Sequence, residues 1–302
     1  MEVFVMQLFN GISVSSIYLL AAIGLTITFG LMGVINMAHG EFLMIGAYTT
    51  YVIQNLFIKY LPERVFDGYI FIALMMSFLA AAGIGMILER TVISFLYNRP
   101  LDSLLVTYGI SLFLQQLART IFGAPNVSVK APSFLDNSIK VTNMISFSYK
   151  RIAIMIIAVI AIAFVCYYMY KTRQGRNIRA TVENRQMAAC MGINTKRVDA
   201  TTFALGCGLA GIAGCALTWL GAIGPALGTG YIVDTFMTVV IGGAGSIAGT
   251  IIGAAFIGIG RVVSEYYTTA ILGQVIIFVC VIIVLQFRPK GLLSITSRAL
   301  ED

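Results

Sequence analysis

His39 and Glu41, one residue apart in Asn36-Met-Ala-His39-Gly40-Glu41, are the pair in this chain whose types come closest to acid–base or metal chemistry. His39 is the only histidine, which excludes a multi-histidine metal site, and with Glu41 it makes too small a ligand set for zinc. An intramembrane serine protease has a formal basis, because Gly109-Ile-Ser111 resembles an embedded nucleophile and His39 is the base available to it. Such strings also arise by chance, and Gly11-Ile-Ser13 is another. No G-x-x-x-x-G-K-[ST] occurs, so the chain has no phosphate-cradling loop and any ATP is hydrolysed elsewhere. What remains is a set of hydrogen-bonding groups within or beside apolar runs: Asn36, His39, Glu41, Thr107, Gln115, Gln116 and Asp234. Ionisable groups at membrane depth are functional candidates by default. Together with Gly242, Gly243 and Gly245 these residues are the expected lining of a translocation path. For His39 a second reading stands beside it, a polar bracket that bonds the backbone around Asn36 and fixes a bend. Asp234 invites the same two readings, and Glu41 equally suits the head-group level.

A second constellation lies at residues 171–199, where Lys171, Arg173, Arg176, Arg179, Arg185, Lys196 and Arg197 stand against Glu183 and Asp199. That places +5 of the formal net charge of +7 in about a tenth of the chain. Lys and Arg beside a membrane span resist translocation, so this loop is expected in the cytoplasm. Its middle reads as a short helix: Asn184 caps the start, Arg185 to Met191 continue it, and Gly192 closes it in a left-handed conformation. Seven residues give roughly 10 Å of helix, too little to hold itself together in water.

The elements that must position these groups follow from composition. Hydrophobic residues make up 59% of the chain, charged residues 11%, and the mean hydropathy is +0.91. Soluble domains carry about 25% charge, so this is an all-α, polytopic integral membrane protein. The basic residues sit beside spans rather than on a face interleaved with aromatics, which points to topology and lipid head-group contact and away from nucleic acid. The first 58 residues contain no Lys or Arg, so no cleavable leader is expected and the first span is retained. Cys166, Cys190, Cys207, Cys215 and Cys280 lack CxxC spacing and read as small packing residues.

About eight spans are expected, within one transmembrane domain covering 1–302. Spanning about 30 Å of hydrocarbon takes roughly 20 residues, and the first six runs are 11–32, 42–57, 69–88, 103–122, 152–170 and 200–223. With 171–199 inside, 123–150 is an ordered external loop and 89–101 is internal. Counting 232–259 and 270–287 as one crossing each would leave Arg288, Lys290 and Arg298 outside, against the orientation rule. The Gly-rich run 241–249 offers a remedy: 232–242 enters halfway, the chain turns back, and the C-terminus returns to the cytoplasm. Gly245, Gly249 and Gly253, like Gly206, Gly208, Gly211 and Gly214, carry the small-residue spacing of tight helix packing. The interruptions at 36–41 and 242–249 fall one in each half, as in transporters built from discontinuous paired repeats.

The chain resembles, over nearly its whole length, the branched-chain amino acid and urea group of ATP-binding-cassette importer permeases. The resemblance rests on Gly30-Leu-Met-Gly-Val-Ile-Asn36-Met-Ala-His39-Gly40-Glu41 with Gly46-Ala-Tyr48, on Gly175-Arg176, and on Met187-Ala188 with Gly192-Ile-Asn194. It continues through Gly242-Gly-Ala-Gly245-Ser-Ile-Ala-Gly249-Thr250 to the ending Arg288-Pro-Lys-Gly291. Within the group it is most similar to the first permease subunit of the urea importer, through residues 97–123, 184–192 and 231–236. That likeness implies urea or a short-chain amide as substrate, with branched-chain amino acids as the alternative, and an inner-membrane location. It implies a homologous second permease, two cytoplasmic ATP-binding subunits and an extracytoplasmic substrate-binding protein, with no cofactor in this chain. It also makes 185–191 a coupling helix seated in an ATPase groove. Met187, Ala188 and Met191 would form its docking side, since methionine adapts to such surfaces, with Arg185 and Gln186 registering it by polar contacts. The competing placement is on the bilayer surface, held by anionic lipid. A stand-alone secondary carrier is a further reading, disfavoured by the scarcity of acidic residues in the spans. Uncharged Asn36, Thr107, Gln115 and Gln116 can both donate to and accept from neutral urea.

Overall fold

The computed structural model describes residues 2–32, 35–60, 62–97, 99–142, 145–289 and 291–293. Gly33, Val34 and Asn98 of the motifs above, and Lys290 and Arg298 of the C-terminal segment, lie outside the described residues. In order, the chain forms α1 (Glu2–Met32), α2 (His39–Tyr60), α3 (Tyr69–Thr91), α4 (Pro100–Phe122), β1 (Ser138–Thr142), β2 (Ile145–Ser148), α5 (Tyr149–Lys171) and α6 (Arg173–Glu183). It continues with α7 (Arg185–Cys190), α8 (Thr195–Leu217), α9 (Leu227–Gly242), α10 (Ile247–Tyr267) and α11 (Ala270–Phe287). Among the described residues, seven helices are long and apolar enough to cross a membrane: α1, α3, α4, α5, α8, α10 and α11. The protein is a polytopic all-α membrane protein, as the composition requires. Its only sheet among the described residues is the antiparallel β1–β2 hairpin, inside the segment expected to be an external loop.

Two apolar helices of the membrane body, α2 and α9, fall outside the seven for different reasons. Helix α2 has the length, 22 residues, but carries His39, Glu41, Thr49, Thr50 and Gln54. Helix α9 has only 16 residues, about 24 Å at 1.5 Å per residue. After α9 the chain turns through Gly243 and Gly245, at φ 99° and 83°, conformations that cost glycine little. Helix α10 then returns against α9, with Gly249 on Gly242 and Gly253 on Thr238, so 232–259 is not a single crossing. The segment after α11 meets the inner end of α9, where the Leu292 and Leu293 amides donate to the Ile241 and Gly242 carbonyls at 2.7 and 3.2 Å.

Contacts between loops sort the structure into two faces. On one, the rings of Phe9 and Phe147 lie 4.5 Å apart, Val127 bridges Ile223, and Gln54 Nε2 and Tyr69 Oη both donate to the Lys130 carbonyl. Helix α5 starts at this face and its 23 residues deliver Lys171 to the other. The basic segment, the α3–α4 turn, the α9–α10 turn beside Gly30 at the end of α1, and the tail at Gly291 share that second face. The alternation expected from the charge pattern is therefore the alternation of the fold.

The spans α1 and α8 are the two most enclosed by protein. Helix α8 is the hub because its small residues let three neighbours reach its backbone: Gly206 packs on Gly24 of α1, Gly211 on Gly46 of α2 and Ser77 of α3, and Gly214 on Leu43 of α2. Ser77 Oγ donates to the Gly46 carbonyl at 2.9 Å and lies 3.1 Å from Thr50 Oγ1, which closes the junction with polar bonds. In hydrocarbon, where apolar burial drives little, such close approach and internal bonds supply much of the association. Gly109 on α4 has open space where a side chain would stand. Gly211→Ala should therefore destabilise the protein by about 1–3 kcal/mol through overpacking, whereas Gly109→Ala should leave the melting temperature in detergent unchanged or slightly higher. Equal melting temperatures for the two variants would contradict this packing.

Candidate functional site

Helix α2 begins at depth rather than at a surface, and the local sequence satisfies the backbone this leaves exposed. Asn36 Oδ1 accepts from the Ala38 amide at 3.0 Å, and the Asn36 carbonyl accepts from the His39 amide at 3.2 Å. Thr107 of α4 reaches across: its Oγ1 accepts from the Met37 amide at 3.1 Å and donates to the Ser103 carbonyl at 2.7 Å. His39 is fully buried, with Nε2 3.1 Å from the Ala21 carbonyl two-thirds of the way along α1. The contact ties the start of α2 to α1, whereas the bracket reading placed it on the backbone around Asn36, which Asn36 Oδ1 and Thr107 serve instead.

In the first turn of α2, Glu41 is 1% exposed. Its Oε1 accepts from Ser111 Oγ and from Gln115 Nε2, both at 2.9 Å, and Gln115 Nε2 lies 3.2 Å from Ser111 Oγ. Its Oε2 has no hydrogen-bond partner among the described residues. Across from it, a Cβ on Gly228 at the start of α9 would stand 2.8 Å from the Glu41 Cδ, so that glycine leaves room for the carboxylate. Asn36, Glu41, Thr107 and Gln115 thus gather along the contact of α2 with α4. Ser111, on the same face of α4 at the i−4 position from Gln115, belongs with them.

Other predicted residues go elsewhere. Gln116 is exposed, about 100° around α4 from the buried Gln115. Gly242, Gly243 and Gly245 sit at the α9–α10 turn against Gly249, Gly291 and Gly30. They are backbone packing positions, about 21 Å along α9 from Gly228. Asp234 is buried in a separate network: its Oδ2 accepts from Tyr18 Oη at 2.9 Å and from the Arg261 guanidinium, whose Nε donates to Glu265 Oε1 at 2.8 Å. Arg261 and Tyr18 escaped sequence reasoning. A lone arginine inside the otherwise apolar run 247–263 was the available signal.

The basic segment folds as two helices. Helix α6 was not anticipated: Thr172 Oγ1 caps it by accepting from the Gly175 amide at 3.1 Å, and it buries Gly175, Ile178 and Thr181 while its charges face out. Helix α7 is capped as expected, with the Met187 amide on Asn184 Oδ1 at 2.9 Å and Gly192 at φ 82°. Two expectations are corrected. Ala188 is 4% exposed and faces the body of the protein, while Met187 and Met191, four residues apart, are 61% and 78% exposed. Arg185 is engaged internally: it pairs with Asp199 at the start of α8 and lies over the Tyr97 ring, 5.0 Å from its centroid. Tyr97 Oη donates to Glu89 Oε1 at 2.8 Å. Burial, with Asp199 and Glu89 nearby, holds the Tyr97 hydroxyl above the usual phenol range, so it remains a donor. Gln186 is exposed beside Met187.

This arrangement does not assemble a hydrolytic site. Ser111 bonds Glu41 and Gln115, and His39 bonds Ala21, so the nucleophile–base pair suggested by Gly109-Ile-Ser111 is not formed. Among the described residues there is no group of three or more His, Cys, Asp or Glu able to hold a metal, and the five cysteines are free. What the site offers is a buried carboxylate and amide at membrane depth.

Residues 7–285 match the family described as branched-chain amino acid transport system / permease component. The high-affinity branched-chain amino acid transport system permease protein LivH of Escherichia coli strain K12 is 33% identical over 299 residues, covering 96% of each chain. The corresponding permease protein BraD of Pseudomonas aeruginosa is 31% identical over 306 residues, again covering 96% of each. A stretch amounting to 30% of the chain is 37% identical to the ribose import permease protein RbsC of Escherichia coli. No solved structure matches. With seven apolar crossing helices and a family match over nearly its full length, the chain is a multi-pass inner-membrane protein belonging to the branched-chain amino acid transport system permease family.

Proposed function

We propose that this chain is one permease subunit of an ATP-driven importer of branched-chain amino acids, and that Asn36, Glu41, Thr107, Ser111 and Gln115 border the route of the substrate. The observation that carries the reading is its full-length similarity to permeases of that transport class. Urea, which the sequence resemblance implied, gains no support from these relatives. A buried carboxylate is also a better partner for an ammonium group than for a neutral amide, because only the ammonium adds Coulomb attraction between opposite charges to the hydrogen bond. The partners are a homologous second permease, two cytoplasmic ATP-binding subunits and an extracytoplasmic binding protein that selects the cargo. ATP is hydrolysed on those separate subunits.

The basic face is cytoplasmic in this reading, by the orientation preference of Lys and Arg. Helix α7 is then the coupling element, with Met187 and Met191 as the docking pair on an ATPase groove and Gln186 beside them. Ala188 faces inward and the half-exposed Arg185 passes the motion to the protein: it joins α7 to the start of α8 through Asp199 and to the α3–α4 turn through Tyr97. A displacement of α7 thereby reaches the hub helix and the inner end of α4, which carries Ser111 and Gln115.

In proteoliposomes holding the complete complex, labelled leucine should accumulate with ATP and not without it, and labelled urea should not accumulate. ATP-dependent uptake of urea alone would contradict the substrate, and uptake of leucine in the absence of the ATPase subunits would favour a stand-alone carrier. Replacing both Met187 and Met191 by Asp should bring leucine uptake to background while the chain still inserts in the membrane. Wild-type uptake by that double variant would overturn the assignment of α7.

A further inference from the structure

One helical turn beyond the Glu41 cluster, the seam between α2 and α4 opens into a cavity of about 260 Å³. Met44, Ile45 and Tyr48 of α2, Leu114 and Ala118 of α4, and Ile84 of α3 are among its walls. Met44 and Ile45 follow Glu41 by three and four residues, and Leu114 and Ala118 follow Ser111 by three and seven. At those spacings the cavity continues the helix faces that carry the carboxylate and its two donors. Glu41 Oε1 is held by Ser111 and Gln115, while Oε2, equally buried, has no partner among the described residues. A carboxylate with one oxygen fixed and the other unengaged, beside an apolar hollow smaller than the roughly 300–1,000 Å³ of drug-sized sites, has the two halves of a recognition site for a small aliphatic amine.

We propose that this seam holds the amino acid in transit, with Glu41 Oε2 accepting a hydrogen bond from the substrate's ammonium group and the cavity receiving its branched side chain. The proposal rests on the branched-chain amino acid reading above and adds to it a place in this chain where side-chain size is sensed. Ser111 and Gln115 act as positioning residues, holding Oε1 and leaving Oε2 as the oxygen free to accept. An apolar slot separates ligands that differ by one methylene by about 10- to 200-fold, a modest preference compatible with release on the far side.

The test is uptake of labelled leucine and labelled valine by the complete reconstituted complex at saturating binding protein. Val52 of α2 also lines the cavity, so Ala118→Leu on α4 and Val52→Phe on α2 fill it from different helices, and one remains informative if the other does not assemble. Both should lower the leucine-to-valine uptake ratio by about tenfold, whereas Glu41→Gln should lower uptake of the two amino acids alike and leave the ratio unchanged. An unchanged ratio in both filled variants, or wild-type uptake by Glu41→Gln, would overturn the proposal. Loss of co-purifying phospholipid from the filled variants at an unchanged ratio would identify the cavity as a lipid site and overturn it equally. A wild-type complex that imports neither amino acid would remove the functional reading beneath it, a different failure from that of the variants alone.

Discussion

Three helices meet at backbone distance where Gly46 of α2, Ser77 of α3 and Gly211 of α8 come together. Side chains cannot occupy this point. The small residues let the helices approach, and the Ser77 hydroxyl satisfies a carbonyl that has no water to turn to. Once α2 is fixed there, its first turn must lie against α1, where His39 finds Ala21, and must present Glu41 to α4. The position of the buried carboxylate is a consequence of glycine packing five residues farther along the same helix.

The same constraint accounts for the polar character of α4. In hydrocarbon each unsatisfied polar group costs several kcal/mol, so a span carrying Thr107, Ser111 and Gln115 is stable only against partners. Thr107 serves the broken backbone at Met37, while Ser111 and Gln115 serve Glu41. The donors of α4 and the acceptors of the interrupted segment are complementary, and neither would be tolerated alone. Farther along α9, Asp234 is compensated differently, by Arg261 and Tyr18, which makes the three residues a brace between α1, α9 and α10.

Much of this was legible in the chain itself. The spans followed from apolar run lengths, the two faces from the placement of Lys and Arg, and the ends of α7 from Asn184 and Gly192, because each of these signals is local. The turn at 243–246 was readable for the same reason: consecutive glycines interrupt a helix wherever they stand. Helix α6 was hidden because its charges face solvent and only Gly175, Ile178 and Thr181 turn inward. The inward side of α7 was misassigned because adjacent residues on a helix differ by about 100°, so Met187 and Ala188 cannot share a face in a helix of six residues. The contacts of Glu41 with Ser111 and Gln115, 70 and 74 residues away, and of Asp234 with Tyr18 are set by packing. No spacing rule reaches across that separation. The family resemblance was correct at the level of the permease group, while its finer choice of urea rested on motif likeness that full-length similarity does not support.

The junction can be probed directly in native membranes. With the five native cysteines replaced by alanine, a chain carrying Thr50→Cys and Ser77→Cys should close a disulfide between α2 and α3 on mild oxidation, because the hydroxyls they replace are 3.1 Å apart. Nearly complete cross-linking in membranes, read as a mobility shift that reductant reverses, is the predicted result. Free thiols after oxidation, in a variant that still inserts and assembles, would mean that α2 does not meet α3 at this register, and the placement of Glu41 would be wrong.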